Sequence, residues 1–133
     1  MTREEKTLVL KDLSMRLPYG VKVNHLLDTK PSDLFAIDTY RSTLYCFRNG
    51  REEWYKVEFI KPYLRPMSSM TEEEKEELVS KHIKLVFNDK EYNPETVAVD
   101  IDGFDWLNKN MFDYRGLIPA GLANAALEGM YKN

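Results

Sequence analysis

A chain of 133 residues with 43% hydrophobic and 31% charged side chains is long enough for one buried core, which excludes a disordered tail or a membrane-embedded protein. Its longest apolar runs are a few residues, far short of the ~20 that cross a bilayer. A net charge of −3 argues against a general polyanion binder, which works by neutralising phosphates.

The charge is unevenly spread. Residues 1–66 carry 12 Lys/Arg against 9 Asp/Glu, and residues 67–133 carry 7 against 13. The asymmetry fits two layers of opposite charge that attract each other, and equally a partner that reads only one face. The polar start Met1-Thr-Arg-Glu-Glu shows no apolar secretory core, and the lone Cys46 suits a reducing compartment, so the expected location is the cytoplasm. Cys46 itself reads as a small core residue.

In chain order, Thr2 and Glu5 form a capping box that opens a helix over 3–16, with Val9, Leu10, Leu13 and Leu17 on one stripe. Pro18 ends it. After Gly20, Val21 and Val23 alternate with polar residues, and His25 falls on their side as a partly buried packing residue. Asp28-Thr-Lys-Pro-Ser is a turn, Leu34–Asp38 a second strand, Tyr40-Arg-Ser a turn and Thr43–Phe47 a third strand. Thr43, Tyr45 and Phe47 share one face, Leu44 and Cys46 the other. Asn49-Gly50 marks a tight hairpin. A fourth strand runs over about 53–60, and Pro62 and Pro66 end the sheet at an elbow. Four short strands with short turns predict a small curled antiparallel sheet of the SH3-like barrel kind.

Thr71 and Glu74 form a second capping box before an acidic first turn. The four-residue recurrence of Leu78, His82 and Val86 then predicts an amphipathic helix over 72–87, with His82 on its apolar edge. Asn88–Pro94 reads as a loop and 96–101 as a fifth strand. A helix starting at Gly103 or Asp105 carries Phe104, Leu107 and Met111. Leu117, Ile118 and Leu122 suggest a further helical stretch, and 124–133 a loosely tied tail.

Chemistry-bearing patterns are sparse. Aligning Gly103 with the glycine of a calcium loop puts Ala98 and Lys109 where carboxylates are needed, so Asp100, Asp102 and Asp105 read as turn and cap residues. Two histidines and one cysteine are too few for a transition-metal site. No glycine loop of the phosphate-cradling kind is present, so no cofactor, no metal and no catalytic residue is assigned. The basic, aromatic run does suggest a binding face. Its candidates are Arg48, Arg51, Trp54 and Lys56 near the hairpin, Tyr63 and Arg65 on the elbow, and Tyr114 and Arg115 beyond. Three functions follow: a non-enzymatic accessory module that binds another macromolecule, foremost a protein; a single-stranded nucleic-acid binder using stacking and cations; and a small hydrolase built on Asp100, Asp102 and Asp105.

Three stretches, RLPYGVKV (Arg16–Val23), KPYLRPMSSMTEEE (Lys61–Glu74) and WLNKNMFDYRGLI (Trp106–Ile118), together resemble short uncharacterised proteins of phages, prophages and mobile elements of gut Bacteroidetes. The resemblance implies a bacterial, cytoplasmic or virus-associated origin and transfers no catalytic residue. Those proteins usually follow FDYRGLI with a charged helix, whereas here Pro119-Ala-Gly follows. The combined expectation is one α+β domain over 1–133, with its sheet in 20–60 and its helical part in 71–123. The predicted lid on that sheet is the first helix together with the 72–87 helix.

Overall fold

The computed structural model describes residues 1–26, 30–87 and 94–131. Helix α1 spans Arg3–Arg16. Thr2 Oγ1 accepts from the Glu5 N–H at 3.1 Å while the Thr2 N–H donates to Glu5 Oε1 at 2.8 Å, the reciprocal cap that the sequence predicts. A 3-10 turn over Leu17–Tyr19 and Gly20 at φ 79° then swing the chain into the sheet.

The strands are β1 (Lys22–His25), β2 (Ser32–Asp38), β3 (Thr43–Arg48), β4 (Arg51–Lys56) and β5 (Ile60–Leu64). The predicted fourth strand is therefore two, broken by a 3-10 turn at Val57–Phe59. The turn lets β5 cross back to β1, giving the order β4-β3-β2-β1-β5-β8, where β8 is Asn124–Ala125. This sheet is mixed and open, because β8 runs parallel to β5, so the closed SH3-like barrel is not what forms. Pro62 does not end the sheet either. Leu26 N–H donates to the Phe59 carbonyl at 3.0 Å, which makes His25 and Ile60 a wide pair. By antiparallel alternation the nitrogen of Pro62 then points away from β1, so no ladder bond is lost.

Helix α1 covers one face of the sheet. Val9, Leu10 and Leu13 meet Val23, Leu34, Leu44, Cys46, Ile60 and Leu64, and Met111, Leu117 and Leu122 complete this core. Helix α2 is Glu72–His82, five residues shorter than predicted. Ile83–Phe87 instead forms β6, which pairs with β7 (Pro94–Val99) as a separate two-stranded ribbon. The run Ile83-Lys-Leu-Val-Phe87 fits a two-residue period as well as a helical one, and a β-rich partner segment decides between them. Residues 88–93 and 27–29, where the predicted loop and turn chiefly fall, lie outside the described residues.

α2 is not a lid on the sheet. Its buried Leu78 joins Met70, Leu107 and Phe112 in a second, smaller core shared with α3 (Ile101–Lys109). α3 starts earlier than predicted, because Asp100 caps it by accepting from the Gly103 N–H at 2.7 Å. It ends in a Schellman motif with Phe112 N–H on the Leu107 carbonyl and Met111 N–H on that of Asn108. Met111, at φ 62°, takes the left-handed position usually held by glycine, and its side chain fills the main core. The predicted last helix is absent: Asp113 accepts from the N–H groups of Leu117 and Ile118, holding that segment in turns.

The tail is tied rather than loose. Tyr131 Oη donates to the Tyr63 carbonyl at 2.7 Å and accepts from the Lys22 N–H at 2.9 Å, and burial pushes its phenol up to about 12. A phenol raised above its usual ~10 stabilises the fold below pH 10, and that contribution disappears as pH rises through 12. Tyr131→Phe is expected to cost about 1–3 kcal/mol in urea unfolding and to flatten the loss of stability between about pH 10 and 12.

A carboxyl and a guanidinium of α1 are fully buried. Asp12 and Arg16 are both 0% exposed, joined at 2.9 Å, and Arg16 also donates to the Phe112 carbonyl at 2.7 Å. Asp12→Ala is expected to destabilise by about 3–5 kcal/mol, with much of that recovered in Asp12→Leu/Arg16→Met, because a buried charge without its partner costs more than an apolar pair.

Candidate functional site

The Asn49-Gly50 turn, with φ of 53° and 74°, sets Arg48 opposite Arg51 and thereby fixes every row of the β3–β4 hairpin. Leu44 and Cys46 face the core, so Tyr45 and Phe47 face outward, and Trp54 and Glu52 are their cross-strand partners. A bulge between Leu34 and Ala36 in β2 sets Phe35 beside them, its ring 4.5 Å from Phe47 and 6.3 Å from Tyr45.

The outer face therefore carries three rows. Asp33, Phe47 and Glu52 form one, Ala36, Tyr45 and Trp54 the middle one, and Asp38, Thr43 and Lys56 the third. Trp54 is 62% and Phe47 49% exposed.

Its charges are largely answered within the face. Lys22 sits 2.6 Å from Asp33, and Arg41 lies 3.1 Å from Asp38, whose carboxyl is lowered chiefly by the Arg41 backbone N–H. Lys56 Nζ donates to the Arg41 carbonyl at 3.0 Å. Among the described residues of β2 to β4 on this face, Glu52 at one end and Lys56 at the other are the charges for which no ion pair is seen.

Of the residues nominated from sequence, Trp54 and Lys56 lie on this face, while Arg48 and Arg51 take the opposite side of the hairpin. Arg48 is 3.7 Å from Glu53, which also accepts from the Tyr55 hydroxyl, and that bond is the main reason the Tyr55 phenol is raised. His25, on the inner side as predicted, stacks its ring 4.3 Å from that of Tyr55. Tyr63 is buried at 5% exposure.

Arg65 grips Glu74 through two bonds of 2.8 and 2.7 Å and lies 4.1 Å over the Phe112 ring. Its guanidinium is the main reason the Glu74 carboxyl falls to about 2. A cleft of about 460 Å³ between elbow and tail is lined by Arg65, Glu74, Leu127, Glu128 and Tyr131, and its one base, Arg65, is already taken up by Glu74. Tyr114 and Arg115 belong to the network under α1: Arg115 reaches Asp12 at 3.1 Å, and Tyr114 donates to Asn108 at 3.0 Å. The nominated set is thus split between one open face and two structural networks.

The hydrolase triad does not assemble. Asp100 is spent on the α3 cap and on His82, 3.3 Å away, while Asp102 and Asp105 are exposed. Among the described residues no three metal-binding side chains gather. Burial lifts the Cys46 thiol to about 11, far from nucleophilic. No described helix is long and apolar enough to cross a membrane.

Compared with protein-family models, curated proteins and solved structures, the chain matches none.

Hairpin parity could have found the Tyr45–Trp54 pair from sequence, since Asn-Gly sets the count. Phe35 could not have been found, because its side depends on the bulge. Removing an exposed aromatic should cost little, so Trp54→Ala is expected to lower stability by less than about 1 kcal/mol. Tyr63→Ala, in the core, is expected to lose about 3–5 kcal/mol, both read from urea denaturation.

Proposed function

We propose that this protein is a non-enzymatic binding module that docks a protein partner on the outer face of its sheet. The observation that carries the reading is the cluster of Phe35, Tyr45, Phe47 and Trp54, in which Phe47 and Trp54 are exposed and Phe35 and Tyr45 half-buried while the opposite face holds the core. Large aromatics left in water cost hydration free energy that a partner would recover, and contiguous patches of this sort mark interaction sites. The local charge balance supports protein over nucleic acid. Lys22 and Arg41 each face a carboxylate, so a phosphate chain would meet acids as often as cations.

The test compares the immobilised wild-type chain with the Phe47→Ala/Trp54→Ala double variant. A protein ligand should be captured by the wild type and weakened about tenfold or more by the variant, with little change between low and high salt. Equal capture by both overturns the reading. Retention of a fluorescent oligo(dT) that falls steeply with salt and needs Trp54 would replace it with single-stranded nucleic-acid binding.

A further inference from the structure

We infer that the partner which fits the outer face is a second copy of this chain, stacked face to face; the inference rests on the reading of that face as a protein-docking surface. The reason is the order of charge along the strands. The row containing Phe47 runs Lys22, Asp33, Phe47, Glu52, and since Lys22 and Asp33 are joined at 2.6 Å its unanswered charge among the described residues is the exposed Glu52. The row containing Thr43 runs Asp38, Thr43, Lys56, and since Arg41 of the adjoining turn lies 3.1 Å from Asp38 the unanswered charge here is the exposed Lys56. The aromatics occupy the middle. Along β4 the face is therefore negative at Glu52, aromatic at Trp54 and positive at Lys56.

Such a pattern is complementary to itself. A two-fold axis between the two faces, running across the strands at the level of Tyr45 and Trp54, keeps each strand over its own counterpart and reverses strand direction. Glu52 of one copy then lies over Lys56 of the other, and the reverse contact forms by symmetry, as an isologous interface requires. On β2 the same operation sets Asp33 over Asp38, each already carrying its own cation, Lys22 and Arg41, so the pairing that distinguishes this arrangement is the one on β4. The aromatic rows meet at the centre, in the aligned packing that twisted sheets adopt at ~10 Å separation. Lys61 stands apart from this pattern, on β5, four strands from Glu52. Six strands about 4.8 Å apart and ~20 Å long offer roughly 500 Å² per copy, less than the ~800 Å² of a standard interface. That size fits reversible association in the micromolar range rather than a permanent dimer.

The experiment is sedimentation velocity on the full chain over about 1–200 µM, with melting temperatures confirming that each variant is folded. Wild type should pass from monomer to dimer in this range. Glu52→Lys and Lys56→Glu should each weaken association by about tenfold, because each sets like charges opposite one another twice. An equimolar mixture of the two variants should associate like wild type, since both contacts across a mixed pair again set a lysine against a glutamate. Glu76→Lys, on the exposed side of α2, should leave association unchanged. Wild type that stays monomeric at about 200 µM, or a mixture no better than its components, overturns the second-copy inference. If that monomer still captures a different protein through Phe47 and Trp54, the docking face stands and only its occupant is corrected. If capture is also insensitive to those residues, both readings fall.

Discussion

The fold turns on one buried guanidinium. Arg16 ends α1 with no exposed surface, and it is held by Asp12 one turn earlier and by the carbonyl of Phe112 far along the chain. Asp12 is shared with Arg115, so a single carboxylate locks α1 to the segment that follows α3. Its geometry must be kept, because a charge taken out of water cannot be released from its partner cheaply. Arg16 Nη1 has no hydrogen-bond partner among the described residues, which sharpens the demand on the contacts its other nitrogens make.

That lock sets the relation between the two cores. Met111 points into the larger core and its neighbour Phe112 into the smaller, while the Arg65 N–H and carbonyl bond to Met111 and Asp113 on either side. Arg65 then fastens α2 through Glu74. Three separate stretches of the sequence thus meet here: Arg16 comes from Arg16–Val23, Arg65 and Glu74 from Lys61–Glu74, and Phe112 and Asp113 from Trp106–Ile118. The capping glutamate of α2 serves two structures at once, accepting from the Thr71 N–H as well as from Arg65.

With α1 and the 111–123 segment packed on one face of the sheet, the β3–β4 part of the other leaves Phe47 and Trp54 exposed. This asymmetry is the physical basis of the functional reading. The free edge of β4 is rich in charge, with Arg51, Glu52, Glu53 and Lys56, which discourages strand-to-strand association at the edge and leaves the face as the place for contact. The other side of the sheet is bounded by the short parallel β8, pinned by the Asn124–Asn24 side-chain bond.

Local chemistry was legible without any structure. Both capping boxes, the start of α1 and its halt before Pro18, the Asn-Gly hairpin and the alternation of β3 are properties of neighbours within a few residues, whose energies do not depend on the rest of the chain. The binding candidates were only half legible. The basic and aromatic residues clustered in sequence, but a strand's two-residue period sends adjacent side chains to opposite faces, so Trp54 and Arg51 parted company. Four outcomes belonged to tertiary structure alone: strand or helix at Ile83–Phe87, the return of β5 beside β1, the burial of Asp12 and Arg16, and the tying of the tail by Tyr131. Each was a contest between nearly equal local options, and contacts between residues distant in sequence supplied the free energy that decided it.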